Sequence, residues 1–355
     1  MIIKSIEINN FRNIKNSFFE PNKDINVIFG NNANGKTSFI ESIYSVSNLK
    51  SFRTSNLSET INIENNKAII KCFIENNKIK ENIKLEIKSK SKKYFKNNNN
   101  NKLDDYLWSL FSIVFIPDDI LLINGPPLKK RELIDKAIFY TDKNYLKTLK
   151  NYHKIIINKN INLKNNKVDE IENWNILIAK YSSIIVNIRN KYIDRIYYIL
   201  DKKTDLFKLK YEIVKNINLE DNELYDYFIN ELNNNLDKEI KYKYSLVGAH
   251  KQNIDFNIDG KNLKVFGSQG QKRTFILLFR HSQIIDFEDK HNFVPVLLLD
   301  DMASELDHTN KNIFFNILEN FSGQIFITTT EKKIVSNSKK VNYFCVENGK
   351  INPFF

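Results

Sequence analysis

Glycine is scarce in this chain, nine in 355 residues, yet two of them frame the stretch Gly30-Asn31-Asn32-Ala33-Asn34-Gly35-Lys36-Thr37. This GxxxxGK[ST] spacing constrains the fold more than any other feature. The loop it builds works only between a buried strand and the start of a helix. Both flanks are readable. "DINVIF" (24–29) is a short apolar run, and from Lys36 onward Phe39, Ile40, Ile43, Tyr44 and Val46 recur at helical spacing. Successive backbone N–H groups in such a turn form an anion nest, and the helix adds its positive end. Lys36 is expected to bridge the β- and γ-phosphates of a nucleotide, and the Thr37 hydroxyl to ligate Mg²⁺.

Far downstream, "VPVLLLDDMASELD" (294–307) reads as an apolar strand ending in two carboxylates. That strand is expected to emerge beside the phosphate loop. Asp300 would hold Mg²⁺ through water, and Asp301 would orient or deprotonate an attacking water. Between the two motifs, Ser268-Gln269-Gly270-Gln271 precedes an apolar helical stretch. Two readings fit it: Ser268 simply caps the helix, or the hydroxyl, the glycine and the helix N-terminus form a second anion site. The second reading gives one chain two phosphate-gripping elements but a single loop lysine. A dimer in which this segment of one subunit closes on the nucleotide of the other reconciles them. The guanine-reading pattern NKxD occurs at 101–104 and 166–169, but both copies precede the carboxylate strand and lie in Lys/Asn-rich stretches. Chance matches are expected there, so ATP is the expected nucleotide.

The net charge of +12 fits a basic face that neutralises nucleic-acid phosphates. It fits equally a chain saturated throughout with Lys, Asn and Ile, as an A/T-rich coding bias produces. Cys72 and Cys345 lie far apart without CxxC or histidine spacing, which argues against a disulfide framework or zinc and for a reducing compartment. "MIIKSIEINNF" alternates like a first strand rather than a signal peptide, and no apolar run reaches the ~20 residues of a spanning helix. A cytoplasmic protein with no membrane partner is expected.

Read in order, these motifs resemble the RecF family of DNA gap-repair ATPases, ABC-type heads related to the SMC proteins but without their long coiled coil. The resemblance runs nearly end to end. It is carried by "INNFRNIKN" (8–16), the phosphate loop, "SFRTSNLSETI" (51–61), "VFIPDDILLINGPPLKKRELID" (114–135), "NYHKIIINKNINLK" (151–164), "VGAHKQNIDF" (247–256), "FGSQGQKRT" (266–274) and "LLLDDMASELD" (297–307). It implies an α/β fold: an ABC-type P-loop ATPase head with a mixed-sheet nucleotide lobe and a second, mainly helical lobe. It implies that Gly30, Asn31, Asn32, Ala33, Asn34, Gly35, Lys36 and Thr37 bind ATP and that Asp300 and Asp301 form the Walker B pair. Ser268, Gln269, Gly270 and Gln271 would contact the partner's γ-phosphate. Ser304 to Asp307 would form a D-loop at the dimer interface, and Arg12 would reach the nucleotide. It further implies a weak, DNA-stimulated ATPase acting as a switch, an ATP-dependent homodimer on duplex DNA near single-strand gaps, and RecR and RecO as partners in loading RecA. One stretch departs from the family. Gly248-Ala249-His250-Lys251-Gln252-Asn253 stands where Gly-Pro-His-Arg-Asp-Asp is usual, so both acids are lost.

Two other classes compete. An ABC-type head of another DNA-processing machine, nuclease-associated or SMC-like, would need a second acidic cluster in the nuclease case, but Glu319, Glu331 and Glu347 are scattered. A transporter subunit would commonly carry a histidine after a strand such as "QIFITTT" (324–330), and none follows here. The layout expected is residues 1–112 with 288–355 as the nucleotide lobe and 113–287 as the helical lobe. Trp174, Ile178, Tyr181 and Ile185 recur at helical spacing and read as core. Lys129, Lys130, Arg131 and Arg53 fit a DNA-contacting surface and an ordinary solvated one equally well.

Overall fold

The computed structural model describes residues 1–354 apart from Asn77, 205–209, 302–305 and 331–339. The described chain forms two compact units, Met1–Asp119 with Phe287–Phe355, and Ile120–Asp286. The opening stretch supplies β1 (Ile2–Phe11), β2 (Ile14–Phe19), β3 (Ile25–Phe29), α1 (Lys36–Asn48), β4 (Lys67–Asn76), β5 (Ile79–Lys88), β6 (Ser91–Lys96), α2 (Leu103–Leu107) and β7 (Ser112–Phe115). The middle supplies α3 (Leu121–Asn124), α4 (Pro127–Thr141), α5 (Tyr145–Lys164), α6 (Ile171–Thr204), β8 (Tyr211–Lys215), α7 (Leu224–Asn234), α8 (Leu236–Tyr242), β9 (Ile254–Ile258), β10 (Lys261–Asn262), α9 (Leu263–Phe266) and α10 (Gln269–His291). The return adds β11 (Val296–Asp300), α11 (His308–Asn320), β12 (Ile325–Thr329), β13 (Val341–Glu347) and β14 (Lys350–Phe354).

The first unit sets α1 between two sheets. One is antiparallel, in the order β2-β1-β4-β5-β6, and the other is mixed, in the order β14-β13-β3-β12-β11-β7. In the mixed sheet β3 runs parallel to β12 and β13, and β11 runs parallel to β12 and β7. Strands β3, β12, β11 and the edge strand β7 are buried at every position, which is why they read as mainly apolar runs rather than alternating ones. The antiparallel sheet turns Ala68, Ile70, Cys72 and Ile74 of β4, and Ile83, Leu85 and Ile87 of β5, toward α1. In β1 the inward residues Ile3, Ile6 and Ile8 break strict alternation, and the register slips between Ile3 and Ser5 to accommodate this. Gln324 takes up the backbone at that point: Ile3 N–H donates to its Oε1 at 2.7 Å, and its Nε2 donates to Ile3 O at 2.9 Å.

Helix α1 packs on β1, β4 and β5 of one sheet and on β7, β11 and β12 of the other. It is therefore buried nearly all round, with serines 38, 42, 45 and 47 between the large residues where the sheets come close. Strand β7 completes the edge of the mixed sheet, so this unit extends to Asp119 rather than ending near 112.

The second unit is helical with an added sheet. Helix α6, 34 residues and about 50 Å long at 1.5 Å per residue, packs on α4, α5 and α7. A three-stranded sheet, β10-β9-β8, lies against it through β8. Of the four residues read as core, Ile178 and Ile185 are fully buried, whereas Trp174 and Tyr181 are half-buried. Arg189 is buried and paired with Asp135, with Nε to Oδ1 at 2.7 Å and Nη2 to Oδ2 at 2.8 Å. Lys159 is likewise buried against Glu239.

Candidate nucleotide-binding site

The loop between β3 and α1 is shaped by positive φ angles. Gly30 has φ 153° and Gly35 φ 115°, and a Cβ on Gly30 would stand 2.5 Å from the Val346 carbonyl oxygen. Only glycine meets both demands at that strand end. Ala33 also lies in the left-handed region, at φ 66°. Neighbouring strands pin the loop: Asn34 Nδ2 donates to Val346 O at 3.0 Å, Gly349 N donates to Asn34 O at 3.0 Å, and Asn13 Nδ2 donates to Ala33 O at 3.1 Å. Lys36 Nζ folds over the loop and donates to the carbonyls of Gly30 at 2.7 Å and Asn31 at 3.1 Å. Its pKa is lowered by burial, against the opposing pull of Asp301 and Asp300.

Asp300 ends β11 and is buried. Its Oδ1 accepts from Thr37 Oγ1 at 3.0 Å and from Thr328 Oγ1 at 2.7 Å, and Asp301 N donates to Thr328 Oγ1 at 3.0 Å. The carboxylate strand ends beside the phosphate loop, as expected, although in the sheet β12 lies between β11 and β3. Thr328, near the end of β12, spans the gap with its hydroxyl. Burial raises the pKa of Asp300, the two threonine donors lower it, Asp301 raises it and Arg53 lowers it. A buried carboxylate and a hydroxyl within 3.0 Å of each other suit a hard divalent cation. No cage of three or more His, Cys, Asp or Glu converges among the described residues.

The loop and Asp301 open into a cleft of about 570 Å³, lined also by Arg12, Arg53, Asn62, Ile63 and Thr328. Arg12 sits at φ 53° and donates through Nε and Nη2 to Glu41 of α1 and through Nη1 to Glu59 O. The sequence pointed to Arg12 and left Arg53 undecided. It gave no sign of Glu41, Ile63 or Thr328 here, since each reads locally as an ordinary helix, loop or strand residue.

The remaining predicted residues lie elsewhere. Ser268 Oγ accepts from Gln271 N at 3.2 Å while Gln271 Oε1 accepts from Ser268 N at 2.8 Å. This reciprocal capping box gives the tetrad a structural role at the start of α10. Ser268 and Gln269 are exposed, and Gly270 is half-buried. Asp307 caps α11 by accepting from Asn310 N at 2.8 Å, and Ser304 lies outside the described residues. In α4, Lys130 is buried against Asp255 at 2.8 Å and Arg131 donates to Gln252 O at 2.7 Å, so both hold the second unit together. Lys129 is exposed and pairs with Glu132. The departure at 248–253 has a local reason. Gln252 is fully buried, accepts from Arg189 Nη1 at 3.2 Å and donates through Nε2 to Asn190 Oδ1 at 3.1 Å. A carboxylate there could accept but not donate, and Arg189 already has Asp135.

Sheet order and loop geometry define an SMC-type P-loop head, and the RecF/RecN/SMC N-terminal domain family profile matches residues 2–352. The chain is 32% identical to the DNA replication and repair protein RecF of Acetivibrio thermocellus over 95% of each chain. It is also 32% identical to that of Geotalea uraniireducens, over 99% of this chain and 100% of the relative. A solved structure of the recombination mediator protein RecF with ATP, of the RecFOR pathway, superposes with a TM-score of 0.91 at 30% identity, covering 99% of both chains. The chain belongs to the RecF family. An SMC head bound to the C-terminal winged-helix domain of ScpA shares the fold at a TM-score of 0.61 and 15% identity, over 100% of this chain and 97% of that one. Among the described residues no helix is long and apolar enough to cross a membrane.

Proposed function

We propose that the chain is an ATP-dependent, DNA-binding mediator of recombinational gap repair. The observation that carries this reading is the continuous chain from Thr37 through Asp300 to Thr328 beneath a complete phosphate loop. Family membership and the ATP-bound relative support it. Backbone N–H groups of residues 31–36 and Lys36 Nζ bind the β- and γ-phosphates. Lys36 exchanges its present acceptors, the Gly30 and Asn31 carbonyls, for charged oxygens, a change from neutral to charge-assisted hydrogen bonds. Mg²⁺, held by Thr37 and Asp300, would supply neutralisation of phosphate charge. Asp301, which lines the cleft, orients water and takes its proton.

Ser268, Gln269, Gly270 and Gln271 of a second copy close on the γ-phosphate, with Ser304 and Asp307 at the same interface. The capping box already holds the Ser268 hydroxyl at a helix N-terminus, where an anion is favoured. ATP then works as a switch because it binds the dimer more tightly than the monomer, and only such a difference shifts an equilibrium. The dimer grips duplex DNA near a single-strand gap, RecR and RecO join it in loading RecA, and slow hydrolysis releases it. A net charge of +12 favours phosphate binding. Equilibrium binding of ATP with Mg²⁺ tests the site: Lys36→Met should weaken it roughly 10- to 100-fold, the worth of one charged hydrogen-bonding group. Unchanged affinity would contradict the reading.

A further inference from the structure

Helix α1 carries one acid among its buried residues. Glu41 lies one turn past Thr37 and is fully buried, in a helix whose other large inward residues are Phe39, Ile40, Ile43 and Val46. Burying a lone carboxylate is costly unless cations and donors meet it. They do: Glu41 accepts from Arg12 Nε at 3.0 Å, from Arg12 Nη2 at 2.7 Å and from Ser51 Oγ, and Arg53 Nη1 stands 3.6 Å away. Both arginines line the nucleotide cleft together with Lys36.

We propose that Glu41 is a positioning residue that fixes the two guanidinium groups at the rim of the cleft and through them sets how tightly the site holds a nucleoside triphosphate. The inference rests on the nucleotide reading of that cleft. Arg12 has five N–H donors. Three are engaged by Glu41 and the Glu59 carbonyl, which locks the planar fork and leaves two at its partly exposed tip. Arg53 is held differently, by one longer contact, with 47% of its side chain exposed. An incoming polyanion therefore competes with Glu41 for Arg53 but meets Arg12 already oriented. An apolar residue would fill the same space in α1, but it would leave both cations free to turn toward bulk water.

The sign of one substitution separates positioning from plain charge. Glu41→Gln removes a negative charge beside the cleft, so Coulomb attraction alone would tighten triphosphate binding. Positioning demands the opposite, a five- to tenfold rise in Kd for Mg-ATP, or about 1 to 1.4 kcal/mol. Glu41→Asp keeps the charge and shortens the reach, so it should weaken binding similarly and carries the test if the Gln variant fails to fold. Because Glu41 acts chiefly through Arg12, which it holds by two hydrogen bonds against one longer contact to Arg53, Glu41→Gln should add much less in an Arg12→Ala background than alone, a non-additivity that a general loosening of the fold would not produce. Either variant binding as tightly as the wild type, or fully additive losses with Arg12→Ala, would overturn the proposal. Failure of the wild-type protein to bind Mg-ATP is a different outcome, which removes the nucleotide reading and this inference with it.

Discussion

Replacing Thr328 with valine keeps the shape of the side chain and removes one hydroxyl that holds two groups. That hydroxyl donates to the ionised Asp300 at 2.7 Å and accepts from Asp301 N at 3.0 Å. The first contact is worth about 1.5–3 kcal/mol because its acceptor is charged, and an orphaned buried N–H costs about 1–3 kcal/mol. Asp301 is only half-buried, so water recovers part of the second. One hydroxyl serves both, so the two do not add in full, and we expect a loss of about 2–4 kcal/mol from the first unit. The chain has two tryptophans. In a Trp174→Phe background Trp108, packed on Phe111 and His291, reports that unit alone. Urea unfolding should show a lower midpoint at unchanged slope. Thr328→Ser, which keeps the hydroxyl, should lose less than 1 kcal/mol. The pH dependence has a definite sign. Burial sets the Asp300 pKa above the ordinary carboxylate value in the folded state. As pH falls through that raised value, Asp300 protonates first in the native protein and its buried charge is relieved, so the valine penalty should shrink. Valine and serine variants with equal midpoints would refute the reasoning.

Two further substitutions probe the units separately. Ala33 occupies the left-handed region, which costs a residue with a Cβ about 1–2 kcal/mol. Glycine returns about 0.5–1 kcal/mol of that as lost chain entropy. Ala33→Gly should thus stabilise the first unit by about 0.5–1 kcal/mol, read as a raised urea midpoint of Trp108, and a lowered midpoint would show that the methyl group packs favourably. In the second unit burial brings the His250 pKa from 6.5 down to about 4. The unfolded chain takes up that proton first, so stability is lost as pH falls from 6.5 through about 4, by up to about 3 kcal/mol. His250→Gln, followed through Trp174 in a Trp108→Phe background, should lack this acid slope, and an unchanged slope would assign it to another group.

Local features were legible in the sequence, and relations between distant segments were not. The strand Ile25–Phe29, the glycine loop and α1 follow from spacing alone, because each signal lies within a few residues of what it predicts. Strand order does not. Asp300 was expected beside the loop and is there, but that β12 intervenes between the two strands was not readable, since parallel neighbours are joined across long crossovers that leave no local trace. Glu41 reads as an ordinary polar helix residue, and only Arg12, Ser51 and Arg53 from outside the helix meet it where it is buried. Lys130 and Arg131 fitted a DNA-contacting surface and a solvated one equally well, whereas Asp255 and the Gln252 carbonyl draw them inward from more than a hundred residues away. The small sheet of the second unit did have a local signal. "IDFNI" alternates as strands do, within a region whose helical periodicity dominates.

A composite nucleotide site shared by two copies is tested most directly by mixing variants. Lys36→Met disables the loop and keeps Ser268, while Ser268→Arg blocks the helix tip and keeps the loop. Sedimentation velocity with ATP and Mg²⁺ should show each variant alone as monomer and the equimolar mixture forming a heterodimer through its single intact site. Dimerisation of Ser268→Arg alone at wild-type strength, or a mixture that stays monomeric while the wild type dimerises, would contradict the account.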